Sequence, residues 1–382
     1  MKLNSTALNF LRVFAAALVF FCHSTIVAGE SFGLELHGLS KLINTPAWGG
    51  VWIFLIIGGF LAAYGFDSHK YILDKSGILE YYKGRFLKVL MPTWFFLSLM
   101  YIFNLENAHL TVTEVLRYLT CTFNGSTETG GARIGATWYV FVIMWLYLLV
   151  PVLLKALNWF EKRHKGNEYH VYLKLIAAIL VAGIIYRVGG VFLWHQIGYS
   201  VYYNWFYANV TGTLDLFVIG MIGERIMTYL PEISDDKVKQ YRKFGFWAVI
   251  IVAVLFTGNY RGQRTLYLFL APSMFALSTV FMIVIYSYKS HTLNSYLDNT
   301  FWGKVVNALA PYTFMFYLWH SPILGWVADK INMTNVCIHY IIMLAIGGII
   351  TAYIAYLMTK MNDNVIKSVQ TCVSGKSSGR FI

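Results

Sequence analysis

The chain has 382 residues, of which 58% are hydrophobic and 18% aromatic but only 13% charged, and its mean hydropathy is +0.57. A water-soluble protein carries about 25% charged residues, so this composition excludes a string of soluble domains and makes the bilayer the solvent. A formal charge of +12 would suggest nucleic acid as the partner of a soluble protein, but in a membrane protein it is what cytoplasmic loops require, and no nucleic acid is expected.

Apolar runs approaching the ~20 residues that cross the hydrocarbon core lie at 7–28, 49–66, 87–104, 136–154, 172–193, 207–227, 244–258, 266–286, 308–327 and 336–360. They predict an all-α, polytopic integral membrane protein of about ten transmembrane helices, with 244–258 the shortest. The first run follows one lysine and has no small-residue cleavage site, so it reads as a spanning helix rather than a cleaved signal. Residues 1–360 are expected to form one membrane domain, and the polar tail 361–382 to be disordered. Of the 30 Lys and Arg residues, 22 fall in connections on the side of the N-terminus, 6 in those on the other side and two, Arg12 and Arg187, inside spans. This asymmetry predicts that both termini are cytoplasmic. The longest outer connection, about 105–135, carries an amphipathic stretch from Thr111 to Leu119 and a Gly/Thr/Ser-rich piece from Asn124 to Gly131. Cys22, Cys121, Cys337 and Cys372 share no motif spacing, so neither a disulfide framework nor a metal site is expected.

Ionisable residues inside spans are costly and point to function. Arg12 and His23 are eleven positions apart, which is ~20° past three full turns, so they share one face of the first helix about 16 Å apart along its axis. Arg12 then lies toward the cytoplasm and His23 in the outer half. Arg85 and Lys88 open the third helix from the inner side, and a spacing of three on one α-helical face lets them hold a phosphate between them. Gly58 and Gly59 in the second helix suit close helix approach. His320 in the ninth helix has a depth comparable to that of His23. Arg187 and Asp215, both at membrane depth, are expected to form a buried ion pair.

All of these residues except Arg187 lie in segments that together resemble the membrane-bound acyltransferase-3 family. The segments are Leu11-Arg12 with His23, Phe54 to Ala62, Tyr82 to Pro92, Thr137-Trp138-Tyr139-Val140-Phe141, Asp215 to Gly220, and Tyr317 to Pro322 with His320. Two positions depart from the family pattern: Gly58 stands where relatives commonly have Ser of a Ser-Gly-Phe motif, and Lys88 stands at the second Arg of an Arg-x-x-Arg motif.

The resemblance implies an O-acyltransferase of the bacterial inner membrane, with acetyl-CoA as a substrate rather than a resident cofactor and a surface or lipid-linked saccharide (O-antigen, capsule or exopolysaccharide) as acceptor. His23 with Arg12 would then be catalytic, and Arg12, Arg85 and Lys88 would bind the donor phosphates at the inner face. His23 would act as general base on a sugar hydroxyl or carry the acyl group transiently. His320, Trp138, Tyr139, Asp215 and Arg187 are candidates for the acceptor site or its support, with Trp138 and Tyr139 expected at the outer loop as stacking platforms for a sugar. The competing reading of the composition, an O-antigen polymerase or polysaccharide flippase, expects large basic outer loops or charged residues on broken helices at the midplane.

Overall fold

The computed structural model describes residues 3–33, 47–102, 112–122, 137–198, 202–256, 264–290, 297–331 and 334–375. The described residues form helices and turns. The helices are α1 (Ser5–Phe32), α2 (Ala47–Asp67), α3 (Lys75–Arg85), α4 (Met91–Ile102), α5 (Val112–Thr120), α6 (Trp138–Arg163), α7 (Glu168–Ile197), α8 (Val210–Tyr229), α9 (Asp235–Phe256), α10 (Arg264–Ser287), α11 (Phe301–Leu309), α12 (Thr313–Lys330) and α13 (Val336–Gly375). Every one of the ten expected spans has a helical counterpart, and eight of these are long and apolar enough to cross a membrane. The other two are α9 and α12. In α9 the first nine residues include Asp235, Asp236, Lys237, Lys239, Arg242 and Lys243, which lower its apolarity and carry it beyond the expected 244–258. Residues 361–375, expected as irregular tail, instead continue α13.

Sequence punctuation explains most boundaries. Asn4 caps α1 by accepting from the Ala7 N–H at 2.8 Å, and Gly33 closes it in the left-handed region at φ 67°. Pro92 has no N–H for the carbonyl of residue 88. The third span passes it through a π turn, Phe86–Leu90, in which the Met91 N–H reaches back to the Phe86 carbonyl. The ninth expected run is split, because Pro311 sits in a 3₁₀ turn, Ala310–Tyr312, between α11 and α12.

Packing is centred on α2, which lies against α8, α1 and α10, while α12 fits between α1 and α13. A Cβ at Gly59 would overlap the Phe217 carbonyl of α8, and one at Gly220 would overlap the Ile56 carbonyl of α2. The two backbones therefore meet through reciprocal glycines, as small-residue packing in membranes requires. Of the outer connection, the Asn124–Gly131 piece lies outside the described residues. Its amphipathic stretch forms α5, which lies in the groove between α4 and α6. There Trp94 Nε1 donates to the Tyr118 carbonyl at 3.2 Å and Trp145 Nε1 to the Cys121 carbonyl at 2.9 Å. Val112, Val115, Leu116 and Leu119, spaced i, i+3, i+4 and i+7, stay exposed on the opposite face of α5.

Candidate active site

His23 of α1 and His320 of α12 meet. Their Nδ1 and Nε2 atoms are 2.7 Å apart, and the rings stack at 4.9 Å with an 11° tilt. His320 is fully buried and its Nδ1 lies 2.6 Å from the Tyr317 carbonyl one turn earlier. A carbonyl can only accept, so His320 Nδ1 carries a proton. In the neutral ring Nε2 is then bare and accepts from His23 Nδ1–H. The chain of bonds leaves the Nε2 of the half-buried His23 as an unprotonated lone pair. Next to the pair, Ser24 and Tyr340 hydroxyls are 2.9 Å apart and join α1 to α13.

Toward the N-terminal side, Arg12 and Arg85 occupy one electrostatic neighbourhood with Tyr139 and Tyr147. Arg85 is clasped between two rings, 5.1 Å from the centroid of Tyr81 and 4.9 Å from that of Tyr147. It also hydrogen-bonds the Tyr147 hydroxyl, while its buried Nε has no partner. Arg12 is held by the Asn9 carboxamide at 3.4 Å. Among the described residues neither guanidinium has a carboxylate within 4 Å. A cavity of about 310 Å³ opens beside Arg85, walled by Phe86, Leu90, Met144 and Tyr147 and roofed by Thr120 and Cys121 at the end of α5. Burial pushes the Cys121 thiol up to about 11 and keeps it protonated at neutral pH.

The two ends of α1 are joined by aromatic side chains. Tyr139 packs edge-on against Tyr317 at 5.5 Å, Tyr317 lies 5.8 Å from His320, and Phe54 touches both tyrosines at 6.1 Å. Arg12 and His23 thus face the same seam between α1, α2, α6 and α12, in keeping with their spacing. Other expected site residues are placed differently. Trp138 and Tyr139, expected as open sugar platforms, are 6% and 8% exposed, with Trp138 packed on Tyr207 at 4.9 Å. They are part of the wall, because α6 starts inside the helix bundle rather than at its rim. Lys88 is exposed and within electrostatic reach of Arg85, but the π turn over Phe86–Leu90 replaces the regular α-helical step on which the expected phosphate clamp rested.

Arg187 and Asp215 form the expected ion pair, at 2.6 Å with side chains 4% and 14% exposed, nested against Gly183, where a Cβ would collide with both. No contact among the described residues links this pair to the imidazoles. Sequence reasoning missed three residues. Tyr81 was within reach of it, since it stands one helical turn before Arg85 on the same face. Tyr317 was likewise within reach, one turn before His320 on the same helix, whereas Tyr147 is brought in by α6 with no local signal to mark it.

A family model described as an acyltransferase domain matches residues 5–360. No curated protein and no solved structure matches the chain significantly. A match over nearly the whole helical domain means that this chain belongs to the acyltransferase-3 family.

Proposed function

We propose that this acyltransferase carries acetyl from cytoplasmic acetyl-CoA across the bacterial inner membrane to a hydroxyl of a surface or lipid-linked saccharide. The observation that carries the reading is the bare Nε2 of His23, left so by the Tyr317–His320–His23 chain of hydrogen bonds. A positioned base of this kind takes the proton of an attacking hydroxyl. The sugar oxygen then bonds to the acyl carbon, the thioester C–S bond breaks, and the proton on His23 passes to the departing thiolate of coenzyme A. During transfer His23 is an imidazolium, and His320 Nε2 stabilises it by accepting from Nδ1–H, the role an orienting acceptor plays behind any imidazole base.

Donor binding falls to Arg12 and Arg85. Two cations without carboxylate partners among the described residues favour an anionic ligand in a low-dielectric setting, and the phosphates of coenzyme A supply the charge. Lys88, exposed at the same end, adds attraction rather than a fixed contact. The pantetheine arm then extends along the aromatic seam, covering the ~16 Å along α1 from Arg12 to His23. The test is release of coenzyme A from acetyl-CoA by the purified protein with and without surface polysaccharide, with mass spectrometry of the glycan. His23→Ala should abolish acetylation while the protein still accumulates in the membrane. Wild-type acetylation by that variant would remove the central claim.

A further inference from the structure

On the other side of α1 from the donor residues is a cavity of about 890 Å³, within the range of small-molecule sites. Phe10 of α1 lines it, and Phe10 points ~200° around the helix from Arg12, so the two sites are separated by α1 itself. The floor is apolar. Phe10 and Phe246 pack at 5.0 Å, with Leu297 and Val306 beside them. The mouth is basic. Lys239, Arg242 and Lys243 line it together with Phe246, and their positions on α9 fall on one helical face.

These cations are not equivalent. Arg242 is 2% exposed and fixed, its guanidinium donating to the carbonyls of Ile285 and Tyr286 at 3.3 Å and of Tyr288 at 2.8 Å. Asp298 lies close enough to act on it electrostatically, and is itself bound by the Asn4 carboxamide at 3.2 Å. Lys239 and Lys243 are exposed. Lys239 reaches Asp236 at 3.4 Å, with both side chains mostly in solvent, a pairing that contributes little. Lys243 makes no ion pair among the described residues.

The rim fixes the depth of the cavity. Two of its lining residues, Trp302 of α11 and Trp247 of α9, are 68% and 50% accessible, with the exposed Phe301 and Phe244 on the same helices. Aromatic residues of this kind sit at the level of lipid headgroups, on the N-terminal side of the bilayer where most Lys and Arg fall. A basic mouth at headgroup level over an apolar body matches one ligand chemistry, an anionic head on an acyl chain.

We propose that this cavity binds one anionic phospholipid of the leaflet on the N-terminal side, its phosphate held by the exposed Lys239 and Lys243 above the buried Arg242 and one chain against Phe10 and Phe246. The site is independent of the acyl-transfer reading. The test is native mass spectrometry of the purified full-length protein titrated with phosphatidylglycerol or phosphatidylcholine. Lys239→Gln/Lys243→Gln removes two exposed cations without touching the buried Arg242. Lys162→Gln/Arg163→Gln, at the exposed end of α6, makes the same charge change elsewhere. Phosphatidylglycerol should be retained over phosphatidylcholine, and the α9 pair should lose roughly thirtyfold in affinity at about tenfold per 1.4 kcal/mol, with the α6 pair near wild type. Equal retention of the two lipids, equal loss in both double variants, or displacement of phosphatidylglycerol by coenzyme A would each overturn the proposal.

Discussion

Replacing His320 by alanine removes the acceptor 2.7 Å from His23 Nδ1 and leaves His23 able to keep its proton on either nitrogen. Two losses follow. Part of the enzyme holds the wrong tautomer, with Nε2 blocked, and the imidazolium formed in the reaction loses its only hydrogen-bond acceptor among the described residues. A hydrogen bond to a charged group contributes about 1.5–3 kcal/mol, which on the transition state is about a ten- to hundredfold loss in kcat. KM for acetyl-CoA should stay within about twofold, because Arg12 and Arg85 are untouched. His320→Gln offers a carbonyl oxygen at similar reach and should recover much of the rate. The assay is coenzyme A release at saturating donor and acceptor, with the thermal midpoint in detergent as control, since His320 is fully buried and alanine leaves a void. A folded His320→Ala enzyme with wild-type kcat, or a Gln variant no better than Ala, would refute the relay.

Arg85→Gln should weaken coenzyme A binding, and the difference should shrink at high salt, where the wild-type contact is already screened. Coenzyme A at a hundred times its Kd should stabilise the wild type by about 2.7 kcal/mol and this variant by less than about half of that, read from thermal midpoints. Gly59→Ala drives a Cβ into the Phe217 carbonyl and should cost about 3 kcal/mol or more, whereas Gly58→Ala meets the flexible Ile143 Cδ1 at 3.1 Å and should cost under about 1 kcal/mol. Removing either Arg187 or Asp215 should cost roughly 3–5 kcal/mol, with apolar replacement of both recovering most of it; single variants as stable as wild type would contradict the pairing. An impermeant maleimide should label the exposed Cys337 only from outside the cell, with the buried Cys121 labelling far more slowly at neutral pH because the thiolate is the reactive form and burial pushes its thiol up to about 11. Labelling of Cys337 only after the membrane is opened would invert the orientation.

The legible parts of this molecule are those governed by period and by solvent. Helix positions followed from apolar run length, the alignment of Arg12 with His23 from the 100° step, and the Arg187–Asp215 pair from the cost of an isolated charge in lipid. What failed to show was set by contacts distant in sequence or by departures from the regular helix. The Arg85–Lys88 clamp assumed an α-helical step, and Pro92 imposed a π turn on that segment. Trp138 and Tyr139 were assigned to the surface from their place beside a loop, yet Tyr207 and Tyr317 cover them. The contact between His23 and His320 spans 297 residues; equal depth made it conceivable, but only the packing of α1 against α12 brings the rings together.

The arginines held within the helix bundle show where the fold leaves charge unbalanced. Arg187 is matched by Asp215 at 2.6 Å, and Arg225 by Asp67 at 3.2 Å and Glu161 at 3.5 Å with Asn158 at 2.7 Å. Arg242 spends its donors on the carbonyls that end α10. Arg12 and Arg85 are treated otherwise, one by a carboxamide and the other by two tyrosine faces. An aromatic face attracts a cation through its quadrupole without cancelling the charge, and it holds the guanidinium plane still. A carboxylate in the place of Tyr81 or Tyr147 would stabilise the empty protein and then compete with every incoming phosphate. The tyrosine clasp avoids that competition, so the positive potential that costs stability in the empty protein is open to an anionic ligand, which in the proposed reaction is the donor, at the opposite end of the seam from His23.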